Sequence, residues 1–325
     1  MSGVEYKAVE EPVIRLGIST CLLGERVRFD GGHKLDRLLT GTLGCFVEWV
    51  PVCPEVEIGM GVPRESIDLV GTPEAPHLVA KSGRDYTVAM QTWARERLEQ
   101  LASPRLHGYI LKADSPSCGL CRVRVYDENG VPQRTGRGIF AQELVTRFAL
   151  LPVEEEGGLN DMSLRENFVK RVFAYYRWTR MLDEDPTPGG LVRFHTALKL
   201  TLMAHSLAHY QEMARLAAEA GVLPWGELTA AYGALLMEGL AVLGEPDRHA
   251  GVLQHLVGFL EDYLSTEDRE ELLGLVKDYQ QGLVPLIVPI TLIQHYIRCH
   301  PVPDWVRQQV YLSPYPKERM LCNHA

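Results

Sequence analysis

The sequence predicts an N-terminal α/β domain of the doubly wound, Rossmann-like type with a mostly parallel sheet, followed by an all-α domain. Strand-like and helix-like segments alternate through the first half of the chain, which is typical of a parallel sheet with crossover helices. After residue 161 no segment has a strand-like pattern, and long helical patterns follow one another. At 325 residues the chain is long enough for two domains, each with its own core.

The predicted elements of the first domain are short apolar strands and helices of moderate length. The buried strands are predicted at residues 13–19, 46–52 and 107–113. The helices are predicted at residues 33–44, 85–102 and 138–150. Residues 122–133 carry an Asn-Gly pair between strand-like segments, which predicts a hairpin.

The domain boundary is expected within residues 151–161, which are acidic, rich in glycine and without hydrophobic periodicity. This places the first domain at residues 1–155 and the helical domain at residues 160–325. Helices of the second domain are predicted at residues 163–182, 190–220, 225–243, 248–264, 266–282 and about 284–300.

Composition narrows the class of protein. The net charge of −9 argues against a generally basic nucleic-acid binder, although a local basic patch remains compatible with it. Seven cysteines at irregular spacing favour reduced thiols over a disulfide framework. The N-terminus lacks the apolar segment of a secretory signal, and the longest apolar run contains two prolines and is too short to span a bilayer. We therefore expect a cytoplasmic protein without membrane contact.

Three cysteines directly follow the three predicted strands: Cys21, Cys53 and Cys118. The carboxyl ends of neighbouring parallel strands open onto one crevice, so these thiols are expected to converge. Any one of them alone could be a small buried hydrophobic residue, but their Gly, Pro and Ser neighbours favour ligands. Three thiolates with an open fourth position fit an iron–sulfur cluster better than a closed zinc site.

Two alternatives to the cluster remain open because of Cys121. It could complete a zinc site, or it could form a redox-active C-x-x-C pair with Cys118. The remaining cysteines have no partner at a usable spacing and are interpreted as structural or incidental: Cys45, Cys299 and Cys322.

Polar side chains crowd the same predicted loops. They are Asp30, His33, Glu55, Arg64, Glu65, Asp114, Ser115 and Ser117. A carboxylate and a hydroxyl beside an electrophilic metal are what a general-base step requires. The alternative for Asp30-Gly31-Gly32 is a turn, and for Ser115-Pro116 the start of a loop.

The motifs "STCLLGERVRFDGGH", "CPE" and "SPSCG", within residues 13–150, together resemble the thiouracil desulfidase family. The second half, from "LRENFVKRVFAYYRW" to "YLSPYPKERMLCNH", is similar to the helical domain fused to that family in many bacteria. The fusion resembles a bacterial tRNA 4-thiouridine desulfidase.

The resemblance implies a 4Fe-4S cluster held by Cys21, Cys53 and Cys118, whose fourth iron binds the thiocarbonyl sulfur of the base. Coordination polarises the C=S bond, water adds to the ring carbon, and uridine and sulfide form without net redox change. The resemblance also implies a carboxylate and a serine in acid/base roles, which we assign to Glu55 and Ser115.

The close competitors of these two residues are Glu65, Asp30 and Ser117. Asp30, Arg64 and Ser117 are further expected to contact the base.

A basic segment of the second domain is the candidate surface for tRNA. Residues 160–325 hold 15 Lys and Arg against 20 Asp and Glu, but residues 164–180 hold five basic residues and one acid. The candidate contacts are Lys170, Arg171, Arg177 and Arg180, with Lys199 extending the patch. Phosphate contacts would supply affinity, and the interleaved aromatic residues could stack an extruded base. The alternative is a solvated helix face whose aromatic residues lie in the core.

Two other function classes remain open. One is a desulfidase of free thiouracil or thiouridine nucleotides, whose helical domain serves dimerisation, so a homo-oligomer is compatible with the sequence. The other is a cluster- or zinc-binding sensor with a helical protein-interaction domain. His205 and His209 have the spacing of one helical face, but Ser206 stands where zinc proteases need glutamate, so packing or RNA contact is the favoured interpretation.

Overall fold

The computed structural model describes residues 13–103 and 105–315. The chain forms two compact units that divide between Asn160 and Asp161. In their described residues, the first unit contains two small sheets and three α-helices, and the second unit is helical. An α/β domain followed by an all-α domain is therefore confirmed as the fold class.

The first sheet is parallel throughout and has the strand order β2-β1-β5-β8. Its strands are β1 Ile14–Ser19, β2 Val47–Val52, β5 Gly108–Leu111 and β8 Val153–Glu155. The first three lie where the apolar runs predict them. The chain leaves β1 for β2 on one side and reaches β5 and β8 on the other, so β1 and β5 flank the point where the strand order reverses, which is the ligand position of doubly wound sheets.

The second sheet has the order β4-β3-β6-β7 and was only half predicted. Its strands are β3 Ile67–Thr72, β4 Ala75–Ala80, β6 Val123–Tyr126 and β7 Pro132–Gly136. The hairpin of β6 and β7 around Gly130 is confirmed. The hairpin of β3 and β4 escaped prediction because Pro76 interrupts the second strand, which an edge position tolerates.

Three helices accompany the sheets: α1 Pro54–Glu57, α2 Thr87–Ala102 and α3 Ile139–Arg147. The helix predicted at 33–44 is wrong in type and start, because a π-helical turn runs only over Leu38–Leu43. The carboxylate of Asp36 accepts hydrogen bonds from the amides of Leu38 and Leu39 at 2.9 and 3.1 Å, which fixes that start.

The core of the first unit explains a glycine in β1. The ring of Tyr109 is fully buried and lies 5.9 Å from the ring of Phe140 on α3. A Cβ atom at Gly17 would stand 2.1 Å from Cδ2 of Tyr109. Only glycine lets this ring lie across β1, and the ring then fixes α3 against the sheet.

The segment predicted to separate the domains contains β8, which pairs with β5 from Tyr109 to Leu111. This strand was not predicted because the segment is acidic and because three residues are too few to show hydrophobic periodicity. The acidic residues that follow β5 and β8 in the chain therefore belong to the first unit and not to a linker between the domains.

The second unit consists of helices capped by side chains at several N-termini. Its α-helices are α4 Met162–Glu184, α5 Pro188–His205, α6 Leu207–Ala218, α7 Trp225–Ala241, α8 Pro246–Gly258, α9 Thr266–Gln280, α10 Ile287–Cys299 and α11 Asp304–Arg307. The single helix predicted at 190–220 is two helices, because Ser206 is extended and its hydroxyl caps α6.

Within residues 13–103 and 105–315, no single helix is long and apolar enough to cross a membrane. The pair α7 and α8 passes the test of length and composition only when taken together, and it bends by 111° at the break.

Candidate functional site

A cavity of about 450 Å³ lies at the carboxyl ends of β1, β2 and β5. Cys21, Cys53 and Cys118 all line it. The three strands are neighbours in the parallel sheet, so residues far apart in sequence reach one crevice. The structure therefore brings the three predicted thiols together.

Cys21 lies in a 3₁₀ turn, Thr20–Leu23, directly after β1. Its carbonyl accepts hydrogen bonds from the amides of Gly24 at 3.3 Å and Lys34 at 2.9 Å. Gly24 has a φ of +92°, a conformation that glycine adopts without strain. These backbone bonds hold the thiol at the rim of the sheet.

Cys53 occupies the N-cap position of α1. Its amide donates to Oε1 of Glu57 at 3.1 Å, and Pro54 occupies the first turn, where its missing N–H costs nothing. Glu57 therefore serves the cap, whereas Glu55 lines the cavity with an oxygen 3.6 Å from the Cys53 sulfur.

Cys118 is held by a hydrogen-bonded loop built on Ser115. The Ser115 hydroxyl accepts hydrogen bonds from the amides of Ser117 at 3.3 Å and Cys118 at 3.1 Å. A Cβ at Gly119 would stand 2.8 Å from the Ser115 carbonyl oxygen, so the loop closes only with glycine there. The "SPSCG" motif thus encodes a rigid turn that buries the Cys118 thiol.

Burial raises the pKa of all three thiols. The pKa of Cys21 rises to about 11 and that of Cys53 to about 12, with Glu55 contributing after burial in both. The pKa of Cys118 is also raised, first by burial and then by Glu55. Without a cation these groups are protonated at neutral pH. Three soft donors around one cavity, one buried and two half-buried, fit a group with several thiophilic irons.

Among residues 13–103 and 105–315, no group of three or more His, Cys, Asp or Glu side chains is already arranged around a metal position, so the interpretation of the three thiols as ligands rests on the cavity that they share.

Cys121 does not line the cavity, is exposed, and has its sulfur 3.8 Å from an oxygen of Glu155. This geometry disfavours the zinc alternative that included Cys121.

A chain of hydrogen bonds joins the candidate acid/base groups. The Ser115 and Ser117 hydroxyl oxygens lie 3.1 Å apart, and the Ser117 hydroxyl donates to Oε1 of Glu55. Arg64 approaches the other Glu55 oxygen at 3.8 Å and donates to the Val27 carbonyl at 2.8 Å. Glu55, Ser115 and Arg64 line the cavity, and Ser117 is fully buried behind it.

Sequence reasoning missed three cations at the cavity, of which Lys112 is one. Lys112 lines the cavity and forms an ion pair with Glu156, while its Nζ also donates to the Ala113 carbonyl at 2.9 Å. The sequence signal was a lysine directly after the apolar residues of β5. Arg28 and Lys34 line the cavity as well, together with the carboxylates of Glu55 and Asp114.

Besides Ser117, three predicted site residues of the first unit lie outside the cavity lining. Asp30 is exposed and accepts a hydrogen bond from the Gly32 amide at 2.9 Å, which is the turn alternative for this residue. His33 accepts from the Leu35 amide at 3.1 Å. Glu65 accepts from the Ser82 amide at 2.8 Å, which leaves Glu55 as the carboxylate nearest the thiols among these competitors.

The basic residues of the second unit do not form one exposed stripe. Lys170 is half-buried and pairs with Glu166 at 2.7 Å. Arg177 is half-buried, its pKa is lowered to about 10 by burial, and it lies 3.5 Å from the Ser313 carbonyl. Arg171 lies over the ring of Phe168.

The other two candidate contacts for tRNA are Arg180 and Lys199. Arg180 is exposed and pairs with Glu184 at 2.8 Å. Lys199 lies 5.2 Å from the ring centroid of Trp305.

His205 and His209 belong to different helices because Ser206 separates α5 from α6. His205 is buried and donates from Nδ1 to the Val242 carbonyl at 2.7 Å, and His209 bonds to the Ser206 hydroxyl at 2.7 Å. The premise that both lie on one helical face is wrong, and their contacts are those of packing residues.

The model of the 2-thiouracil desulfurase family matches residues 16–156, which contain all three thiols and the Glu55 chain. Uncharacterized protein YbbK of Bacillus subtilis (strain 168) is 31% identical over 155 residues, covering 45% of this chain and 97% of that protein. The chain belongs to the 2-thiouracil desulfurase family. Its first unit is accordingly a desulfidase of the thiouracil type.

Other comparisons cover parts of the chain. A family of unknown function, DUF1722, matches residues 199–316. Uncharacterized protein YbgA of Escherichia coli (strain K12) is 27% identical over 150 residues, covering 45% of this chain and 87% of that protein. Among solved structures, the 4Fe-4S-dependent thiouracil desulfidase TudS is 29% identical and covers 47% of this chain and 97% of its own, with a TM-score of 0.38.

Proposed function

We propose that this protein is a 4Fe-4S-dependent desulfidase that removes sulfur from 4-thiouridine in tRNA, giving uridine and sulfide without net redox change. The observation that carries the proposal is the convergence of Cys21, Cys53 and Cys118 on one cavity that also receives Glu55. The family match supports the desulfidase activity.

Cys21, Cys53 and Cys118 would hold the cluster through their sulfur atoms. When bound, the cluster would supply thiophilic, Lewis-acid chemistry toward a thiocarbonyl at this cavity. The three thiols, whose pKa values are raised, would give up their protons on binding such a group, so cluster assembly would be coupled to deprotonation of all three.

The residues of this chain move the protons that hydrolysis requires. Glu55 has one oxygen on the Ser117 hydroxyl and the other near Arg64, so its carboxylate is fixed at the cavity wall. Glu55 takes the proton of the attacking water, and Ser117 links it to the Ser115 hydroxyl. Ser115 lines the cavity and places this proton path beside the base.

The choice of tRNA as the substrate rests on the basic composition of residues 164–180 and on the resemblance proposed from the sequence motifs of the helical half. Arg180 is the exposed cation of this segment and the first candidate phosphate contact. The single base to be desulfurised would leave the RNA fold and enter the cavity of the first unit.

A second candidate is desulfuration of free thiouracil or its nucleotides. One observation favours it: Lys170 and Arg177 are half-buried rather than presented to a large anionic partner. The cations Arg28, Lys34 and Lys112 at the cavity would suit a small anionic nucleotide equally well.

An anaerobic assay of one preparation distinguishes these functions. The expected result is brown protein that bleaches the thiouridine absorbance of thiolated tRNA faster than that of 4-thiouracil or 4-thiouridine monophosphate. Faster turnover of the small substrates would assign the second function. Brown or colourless protein without turnover on any of the three would assign a sensor and overturn the enzyme proposal.

A further inference from the structure

The second unit contains a cavity of its own, of about 240 Å³, which the desulfidase chemistry does not use. Cavities that take drug-sized ligands hold roughly 300–1,000 Å³, so this one suits a smaller molecule. Its apolar walls include Leu286, Ile290 and Leu312. Polar side chains interrupt these walls at a few places.

One of these polar groups lacks a partner. Thr201 on α5 is 6% exposed, lines the cavity, and its hydroxyl has no hydrogen-bond partner among the described residues. Helical threonines ordinarily donate to the carbonyl four residues earlier. Thr196 on the same helix does so at 2.8 Å, and Thr291 on α10 does so at 2.7 Å. A buried hydroxyl without a partner costs stability unless a ligand satisfies it.

An ion pair lines the same cavity. Lys170 and Glu166 lie one turn apart on α4, with Nζ and Oε1 2.7 Å apart and their side chains 15% and 34% exposed. A charged ligand would pair with one of them and face the like charge of the other. The pair therefore suits a neutral ligand with two adjacent groups. One accepts a hydrogen bond from Lys170, and the other donates a hydrogen bond to Glu166.

The two histidines of the cavity are uncharged at neutral pH. Burial lowers the pKa of His205 to about 4 and that of His249 to about 3, and Lys170 contributes to both. Lys170 and Glu166 cancel one another, so the lining carries no net charge from these four groups. This favours a neutral ligand for a second, independent reason.

We propose that this cavity binds a neutral pyrimidine of the uracil type, which pairs its C4 carbonyl with Lys170, its N3–H with Glu166 and its C2 carbonyl with Thr201. The choice of a pyrimidine among cyclic amides rests on the proposed function, whereas the need for a neutral ligand that both donates and accepts hydrogen bonds rests on Lys170, Glu166 and Thr201. The flat ring lies between the aliphatic walls. The helical unit thereby holds a base apart from the site of desulfuration.

Two isomeric methyluracils test the hydrogen-bonding edge of the proposed ligand. Their binding to the full-length protein is measured by calorimetry. 1-Methyluracil keeps the N3–H, and 3-methyluracil has lost it. We expect 1-methyluracil to bind at least ten times more tightly than 3-methyluracil, since the methyl group on N3 removes the donor and places an apolar group against the Glu166 carboxylate. Equal affinities, or no binding of 1-methyluracil at millimolar concentration, overturn the proposal.

Two matched variants locate the binding. Thr201→Val should weaken 1-methyluracil about tenfold, and its ligand-free unfolding temperature should be no lower than that of the parent because an unpaired hydroxyl is removed. Thr196→Val on the same helix should bind like the parent. An equal loss in both variants, or none in Thr201→Val, contradicts the assignment.

Cys118→Ala separates this proposal from the proposed function. It should still bind 1-methyluracil, because the cavity belongs to the other unit, and a loss of binding there overturns the second site. Binding of 1-methyluracil needs neither iron nor turnover. A protein without desulfidase activity that binds 1-methyluracil would therefore refute the proposed function alone.

Discussion

The hydroxyl of Ser117 donates a hydrogen bond to Oε1 of Glu55, a residue 62 positions earlier in the chain. This bond joins the loop after β5 to the first turn of α1 beside the cavity that the three thiols line. A carboxylate that is bonded on one side by a buried serine and approached on the other by Arg64 has one fixed orientation. That orientation directs the acid/base group of the proposed reaction.

Glu55→Gln should keep the cluster and lose turnover. The amide is nearly isosteric and can still bond to Ser117, but it cannot take a proton from water, so we expect kcat to fall by about 10² or more. Iron content and the rate of thiouracil loss, measured on the same anaerobic preparation, check this.

Glu65→Gln is the matched control, because Glu65 bonds to the Ser82 amide instead of lining the cavity. Loss of turnover in Glu65→Gln with activity retained in Glu55→Gln would exchange the roles of the two carboxylates.

Cys21→Ala, Cys53→Ala and Cys118→Ala should each lose iron and activity, whereas Cys121→Ala should keep both. Each of the first three thiols follows one of three adjacent parallel strands, and among the described residues no other thiol lines the cavity. Iron and acid-labile sulfide per chain are the measurement. Retention of the cluster in Cys118→Ala together with its loss in Cys121→Ala would show that the second cysteine of "CGLC" is the ligand.

The sequence predicts the thiol site well because strand ends are visible as buried apolar runs, and parallel strands bring their ends together. It cannot rank Ser115 against Ser117, since the bond to Glu55 depends on a loop whose path is fixed by Gly119 and the Ser115 carbonyl. It also misses β4, because an edge strand accepts Pro76 where a central strand would not.

Prediction from the sequence is limited in the same way for the helical unit. Charge spacing on α4 predicts a cation on each turn, but it does not reveal that Glu166 pairs with Lys170 or that Arg177 is half-buried. The cavity beside Thr201 gives no sequence signal, because its lining comes from α4, α5, α8 and α10 and from residues 311–315.

Arg180→Glu should weaken tRNA binding several-fold and reduce the slope of log K against log salt by about one. Arg180 is the exposed cation of the basic segment, and its replacement removes one phosphate contact without opening the core. Binding of thiolated tRNA across a series of salt concentrations is the measurement.

Arg193→Glu is the control, since Arg193 is an equally exposed arginine of α5 that pairs with Asp185. An identical loss in both variants would indicate a general effect of net charge, and the placement of RNA along residues 164–180 would be withdrawn.

Acid should destabilise the helical unit through His205 and His249. Burial lowers the pKa of these imidazoles to about 4 and about 3, below the ordinary value of 6.5, so the unfolded chain binds protons more readily than the folded one. Their stabilising contribution is complete above pH 6.5 and is lost as the pH falls toward 4 and then 3. By pH 5 each histidine should cost about 2 kcal/mol of unfolding free energy.

Denaturant unfolding at pH 7 and pH 5 measures this loss. His249→Gln should reduce the difference between the two pH values, because it removes one titrating group, although it also weakens the unit by losing the bond from the imidazole to the Tyr311 hydroxyl at 2.9 Å. The comparison is therefore made within each variant, between its two pH values. An undiminished pH difference in His249→Gln would mean that other groups carry the acid sensitivity, and that His249 is accessible to protons in the folded chain.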